Sequence, residues 1–64
     1  KKYALAIDDY KVAISLDPEN PKIYYNRGLA LYLTGKKSDG CSDLNKALEM
    51  GYSYAQRPIL SYCQ

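Results

Sequence analysis

Histidine is absent from the 64 residues, and there are only two cysteines. Two thiols without histidine do not make a zinc site, which takes four ligands. The sequence also lacks a glycine-rich phosphate loop and a serine nucleophile turn. Asp8–Asp9 and Asp17–Glu19 are neighbouring carboxylates. On a surface helix and in a turn they read as solvated charges, since no pocket is implied around them. No base–nucleophile pair remains. The chain is therefore expected to have no catalytic residue, no metal and no cofactor.

Long apolar runs are missing too. None approaches the roughly 18 residues that suggest a membrane span, so no membrane insertion is expected. Charge of one sign is scarce. The net charge is +2, and the basic doublets are Lys1–Lys2 and Lys36–Lys37. Nucleic-acid modules carry a dense basic stripe, so no nucleic-acid partner is expected. No secretory signal is visible at the start. Disorder is excluded by a hydrophobic fraction of 47% against 25% charged. The chain is one domain or part of one. At this size folding buries only about 60% of the unfolded surface, so stability should be marginal.

Helical periodicity is present throughout. Tyr3, Ala6–Ile7, Tyr10 and Ala13–Ile14 recur at the three-and-four spacing of one helical face, predicting a helix from about Lys2 to Leu16. Asp17–Pro18 ends it. Asn20–Pro21 starts a second helix as N-cap and first helical residue. It runs to Thr34, and Gly35 supplies the left-handed residue that stops it. This helix has two apolar stripes, Tyr24/Arg27–Gly28/Leu31 and Tyr25/Leu29/Tyr32/Leu33, so both sides should be occupied or one should be sticky. A third helix spans about Lys37 to Met50, with Ser38 or a neighbour as cap and Gly51 as stop. Asp39 and Asp43 suit its positive end. Gly40 costs up to about 1 kcal/mol of propensity there, tolerable where another helix crosses closely. Ser53 and Gln56 fit a capping box for a last helix. Pro58 lies about five residues inside it and should remove a hydrogen bond, so this helix begins later or kinks.

The chain echoes itself 34 residues on. Ala6, Asp9, Tyr10, Ala13 and Leu16 line up with Gly40, Asp43, Leu44, Ala47 and Met50. Such a period marks a helical-hairpin solenoid, whose units bury their apolar faces only against neighbours. With Ala6, Tyr10, Ala13 and Pro18, then Tyr24, Gly28, Gly35, Leu44 and Ala47, the chain resembles the tetratricopeptide repeat (TPR) family. The stretch Tyr-Tyr-Asn-Arg-Gly, residues 24–28, is similar to a common variant of that family's first-helix core. The resemblance covers residues 1 to about 51. Arg27, Leu31, Lys37, Gly40 and Tyr52 stand where the family has Leu, Tyr, an aromatic, Ala and Pro. Arg27 could lay its aliphatic stem on apolar surface. The ending is similar to that of bacterial members.

The resemblance implies an all-α, antiparallel helical-hairpin solenoid of about one and a half repeats plus a C-terminal capping helix. Residues 1–20 would be the second half of a repeat, 21–51 a full repeat and 52–64 the cap. It also implies a protein–protein interaction scaffold that takes an extended or helical peptide in a concave groove. Lys22, Tyr25, Asn26, Leu29, Tyr32 and Leu33 would line it, and the same residues share one helical face. The alternative is that Tyr25, Tyr32 and Leu33 pack on a neighbouring repeat and Asn26 hydrogen-bonds within its own. A second role is self-assembly: Tyr3, Ile7, Tyr10 and Ile14 would face water on a first helix without a preceding partner, giving a homo-oligomer. Cys41 and Cys63 fall at the same height of an antiparallel pair, about 13.5 Å from the turn. They are either a disulfide or two reduced thiols in the core. A disulfide would place the chain in an oxidising setting such as the bacterial periplasm or cell envelope; reduced thiols would suit the cytoplasm.

Overall fold

The computed structural model describes residues 3–63, so Lys1 of the first basic doublet, with Lys2, lies outside them. Helix α1 is Tyr3–Leu16, α2 is Pro21–Leu33, α3 is Lys37–Glu49, and α4 is Gln56–Tyr62, preceded by a single 3₁₀ turn at Ser53–Ala55. The fold is all-α, as the periodicity predicts.

Local chemistry sets most of the ends. The Asn20 side chain accepts a hydrogen bond from the Lys22 backbone N–H (3.1 Å), with Pro21 inside the first turn. Asn20 Nδ2 also donates to Asp17 across the turn (3.2 Å). Helices α2 and α3 then end alike. Gly35 and Gly51 have φ of 92° and 94°, a region that side chains disfavour. Lys36 N–H reaches Leu31 O and Tyr52 N–H reaches Ala47 O, closing two Schellman motifs.

Two ends depart from the sequence reading. The residue before α3 is Lys36, and no side chain caps that helix; Ser38 already lies inside its first turn. Ser53 and Gln56 form no capping box. Ser53–Ala55 turns as a 3₁₀ segment, and α4 begins only at Gln56. Pro58 therefore sits in the first turn of α4, where its missing N–H would have had no partner within the helix.

The helices pack in chain order, with α2 against both α1 and α3, and the last segment against α3. The α2–α3 crossing is the tightest. A Cβ built on Gly28 would stand 2.8 Å from Gly40 O, and one on Gly40 would stand 2.6 Å from Gly28 O. The missing side chains let the two backbones meet, which accounts for glycine at position 40 despite its helix cost. Around this crossing sits a small core of Ala30, Leu31, Leu44, Ala47 and Ala55.

Helix α1 turns a different side to water than its apolar spacing suggests. Tyr3, Ile7, Tyr10 and Ile14 are all half-buried, while Leu5 (63% exposed), Val12 (60%) and Leu16 (82%) face solvent. The 3-7-10-14 stripe lies on the inward side because α2 follows α1 and covers it. Periodicity finds a stripe but does not say which neighbour takes it.

Candidate functional site

The face of α2 named from the sequence is real as a face, but its members have unequal freedom. Lys22 and Asn26 are exposed, Leu29 is half-buried, and Leu33 is 62% exposed at the helix end. The Asn26 side chain hydrogen-bonds to none of the described residues, which leaves its amide both a donor and an acceptor to offer.

The two tyrosines of this face are held from the C-terminal segment. Tyr25 meets the Tyr52 ring edge-on, with centroids 5.1 Å apart and planes at 64°. Tyr52 in turn leans on Tyr54 at 5.4 Å. Tyr32 stacks on Tyr62 at 4.5 Å and 21°, and the Lys37 ammonium lies 5.6 Å from its centroid. Such ring pairs contribute about 0.5–1.5 kcal/mol beyond the area they bury. Tyr25 and Tyr32 thus fasten the C-terminal segment to α2. Sequence reasoning missed Tyr52, Tyr54 and Tyr62 as neighbours of this face. The signal was their recurrence in a segment that has to fold back on α3.

That segment is fastened covalently as well. Cys41 of α3 and Cys63, just past α4, form a disulfide with Cα atoms 5.8 Å apart, across a sequence separation of 22. The antiparallel return of α4 along α3 brings them level.

Arg27 departs most from expectation. It does not merely lay its stem on apolar surface. Its Nε donates to Asp43 Oδ2 (2.6 Å) and its Nη2 to Asp43 Oδ1 (2.9 Å). Asp43 is 8% exposed, so this carboxylate serves the ion pair rather than the helix end. The hydrogen bonds it donates to Asp43 raise the guanidinium pKa above its ordinary value, against an opposing push from burial. Arg27 also lies 5.8 Å from the Tyr24 ring centroid. A carboxylate on the otherwise apolar face of α3 was the available clue.

Ile7, Lys11, Arg27, Leu31, Asp39, Ser42 and Asp43 line an open cleft of about 310 Å³ between the first three helices. Its one buried carboxylate is already engaged by Arg27. Among the described residues no group of three His, Cys, Asp or Glu could hold a metal ion, and no helix is long and apolar enough to cross a membrane. The arrangement offers contact area, an amide and a few cations. That suits binding.

Comparison with known proteins agrees. The profile described as TPR repeat matches residues 1–35. Protein STIP1 homolog of Dictyostelium discoideum is 38% identical over 50 residues, which is 78% of this chain and 9% of that protein. The chain thus spans under a tenth of the relative's length, and no solved structure matches it. A family profile covering more than half the sequence, on antiparallel helical hairpins joined by a glycine-lined crossing, shows that the chain belongs to the TPR repeat family, whose repeats generally mediate protein–protein interaction.

Proposed function

We infer that the chain is an interaction module that holds an extended or helical segment of a partner against the outer face of α2. The observation that carries this is the mixed character of that face. Leu33 is 62% exposed beside a tyrosine pair, while Asn26 and Lys22 point to solvent with no structural duty for their side-chain tips. An exposed large apolar residue next to an unengaged amide is a surface suited to a peptide: the apolar group takes a side chain, and the amide takes backbone. The C-terminal segment, residues 52–63, walls one side of it through Tyr52 and Tyr62. The disulfide it carries suits an oxidising compartment such as the bacterial periplasm.

The test starts from peptides selected on the immobilised chain from a displayed library. Asn26→Ala and Leu33→Ser should each weaken the selected peptides by about tenfold. Both positions are exposed, so the urea midpoint should stay put. Peptides that bind both variants like the parent sink the reading. So does a selection that yields no binder.

A further inference from the structure

Helix α4 is held at two points. Before its first residue, Ala55 is buried in the core. Just past its last, Cys63 is tied to Cys41. No α4 residue between them is buried, and only Pro58 and Ile59 are half-buried. A helix of seven residues has no stability of its own. Without the crosslink its order would rest on those partial contacts and on one ring stack, against the conformational entropy of every residue in it. Residues 56–63 thus form a strap, anchored at 55 and latched at 63.

The latch lies beside what the strap covers. Tyr62 precedes Cys63 and stacks on Tyr32 of α2, with centroids 4.5 Å apart. Tyr62 is 46% exposed and Tyr32 half-buried, so the strap supplies the outer ring of the pair. Leu33, next along α2, is exposed, and the Lys37 ammonium lies 5.6 Å from the Tyr32 centroid. Both cysteines are half-buried and not sealed, so an outside thiolate can reach the bond. We propose that the Cys41–Cys63 disulfide is a redox latch: it keeps Tyr62 over Tyr32, and its reduction opens that patch of α2 to an aromatic side chain of a partner.

The reductant is a dithiol. Its first thiolate attacks one cysteine sulfur, the S–S bond breaks, and the other cysteine leaves as a thiolate that takes up a proton. The second thiol of the reductant, as its thiolate, then displaces the first cysteine, which takes up the other proton. Two electrons pass to the chain, and the dithiol ends as its own disulfide. The opening stays local because the α2–α3 crossing does not use the strap. The Arg27–Asp43 pair, the Gly28–Gly40 contact and buried Leu44 all lie outside residues 56–63. The partner's chemistry follows from what Tyr62 leaves behind: a ring for Tyr32, with a carboxylate next to it for Lys37. No carboxylate occurs in residues 20–38 or 50–63, so neither α2 nor the strap supplies one. The occupant rests on the reading of α2 as a binding face; the latch does not.

The test selects peptides with one aromatic residue beside an acidic one, from a displayed library, on the chain reduced with dithiothreitol. They are titrated against both redox states well below the melting temperature. The reduced chain and Cys41→Ser/Cys63→Ser should each bind at least about tenfold more tightly than the oxidised chain, because the tethered Tyr62 no longer competes. Oxidised Tyr62→Ala keeps the latch and loses the cover, so it should regain part of that difference. Changing the peptide's aromatic residue to alanine should remove it. By NMR, contacts between the Tyr32 and Tyr62 rings should vanish on reduction while the amides of α2 and α3 stay protected. Ring contacts that survive reduction overturn the proposal. So does loss of protection throughout α2 and α3, since an unfolded chain presents no patch. A selection on the reduced chain without binders overturns it as well. Peptides that hold both redox states alike overturn the latch and leave the binding face of α2 standing. Binders specific to the reduced chain that ignore Asn26→Ala uphold the latch and count against the wider reading of that face.

Discussion

Asp43 is 8% exposed and would be an uncompensated charge without Arg27. Removing one partner of a buried pair costs more than the pair contributes, because the remaining charge stays desolvated. Arg27 keeps a quarter of its side-chain surface in water, so the loss should fall below that of a sealed pair. Arg27→Ala is expected to destabilise the chain by about 2–3 kcal/mol, read from urea unfolding. Asp43→Asn should cost less, since its neutral amide still accepts a hydrogen bond. The sign of the pH effect follows from the raised guanidinium pKa. A group whose folded pKa is raised contributes stability below its ordinary value and loses it only as pH climbs through the raised one. Between about pH 6 and 10 the guanidinium therefore stays charged, and the Arg27→Ala difference should be flat there. A difference that shrinks steadily across that window would assign the stability of the crossing to another group.

At the scale of elements, the α2–α3 crossing depends on two missing side chains. Gly40→Ala would gain up to about 1 kcal/mol of helix propensity if α3 stood alone. In the fold its Cβ meets the Gly28 carbonyl and the Tyr32 backbone N at 2.6 and 2.9 Å, neither of which can swing aside. Overpacking of this kind costs about 1–3 kcal/mol or more, so Gly40→Ala should be net destabilising by thermal melting. A neutral or stabilising result would mean the helices part easily. Helix α4 shows the opposite economy. Its seven residues are far too few for a stable isolated helix. It is held by Ala55 in the core, by Tyr32–Tyr62 and by Cys41–Cys63. Hydrogen exchange in residues 56–63 should speed up on reduction, more than in α2 or α3. Uniform acceleration through all helices would show instead that this segment does not open as a separate unit.

For the whole molecule the core is small, with Leu44 the one large side chain described as fully buried. Much of the stability must then come from restraint of the unfolded chain. A crosslink across a 22-residue separation contributes about 3 kcal/mol in the chain-entropy account. Cys41→Ser/Cys63→Ser should therefore lower the melting temperature by more than about 10 °C. A shift of a degree or two would place the stability elsewhere. The number of helices, and the ends of α1 and α2, were legible in the sequence because they rest on local chemistry: Pro18, the Asn20–Pro21 start and the two glycine stops act within a turn or two of themselves. The candidate face on α2 was legible for the same reason, since 22, 25, 26, 29, 32 and 33 share a side by helical geometry alone. What could not be read was which neighbour each side meets. The partner of Arg27 is 16 residues away, Tyr32 finds Tyr62 from the far end of the chain, and α1 shows Leu5, Val12 and Leu16 to solvent instead of its 3-7-10-14 stripe. By itself the sequence determined the helices, their repeat period and the family. Tertiary structure alone decided the ion pair, the tyrosines that fasten the C-terminal segment and the side that α1 shows to solvent, because those depend on how closely and at what angle helices cross, and that is settled by all the contacts at once.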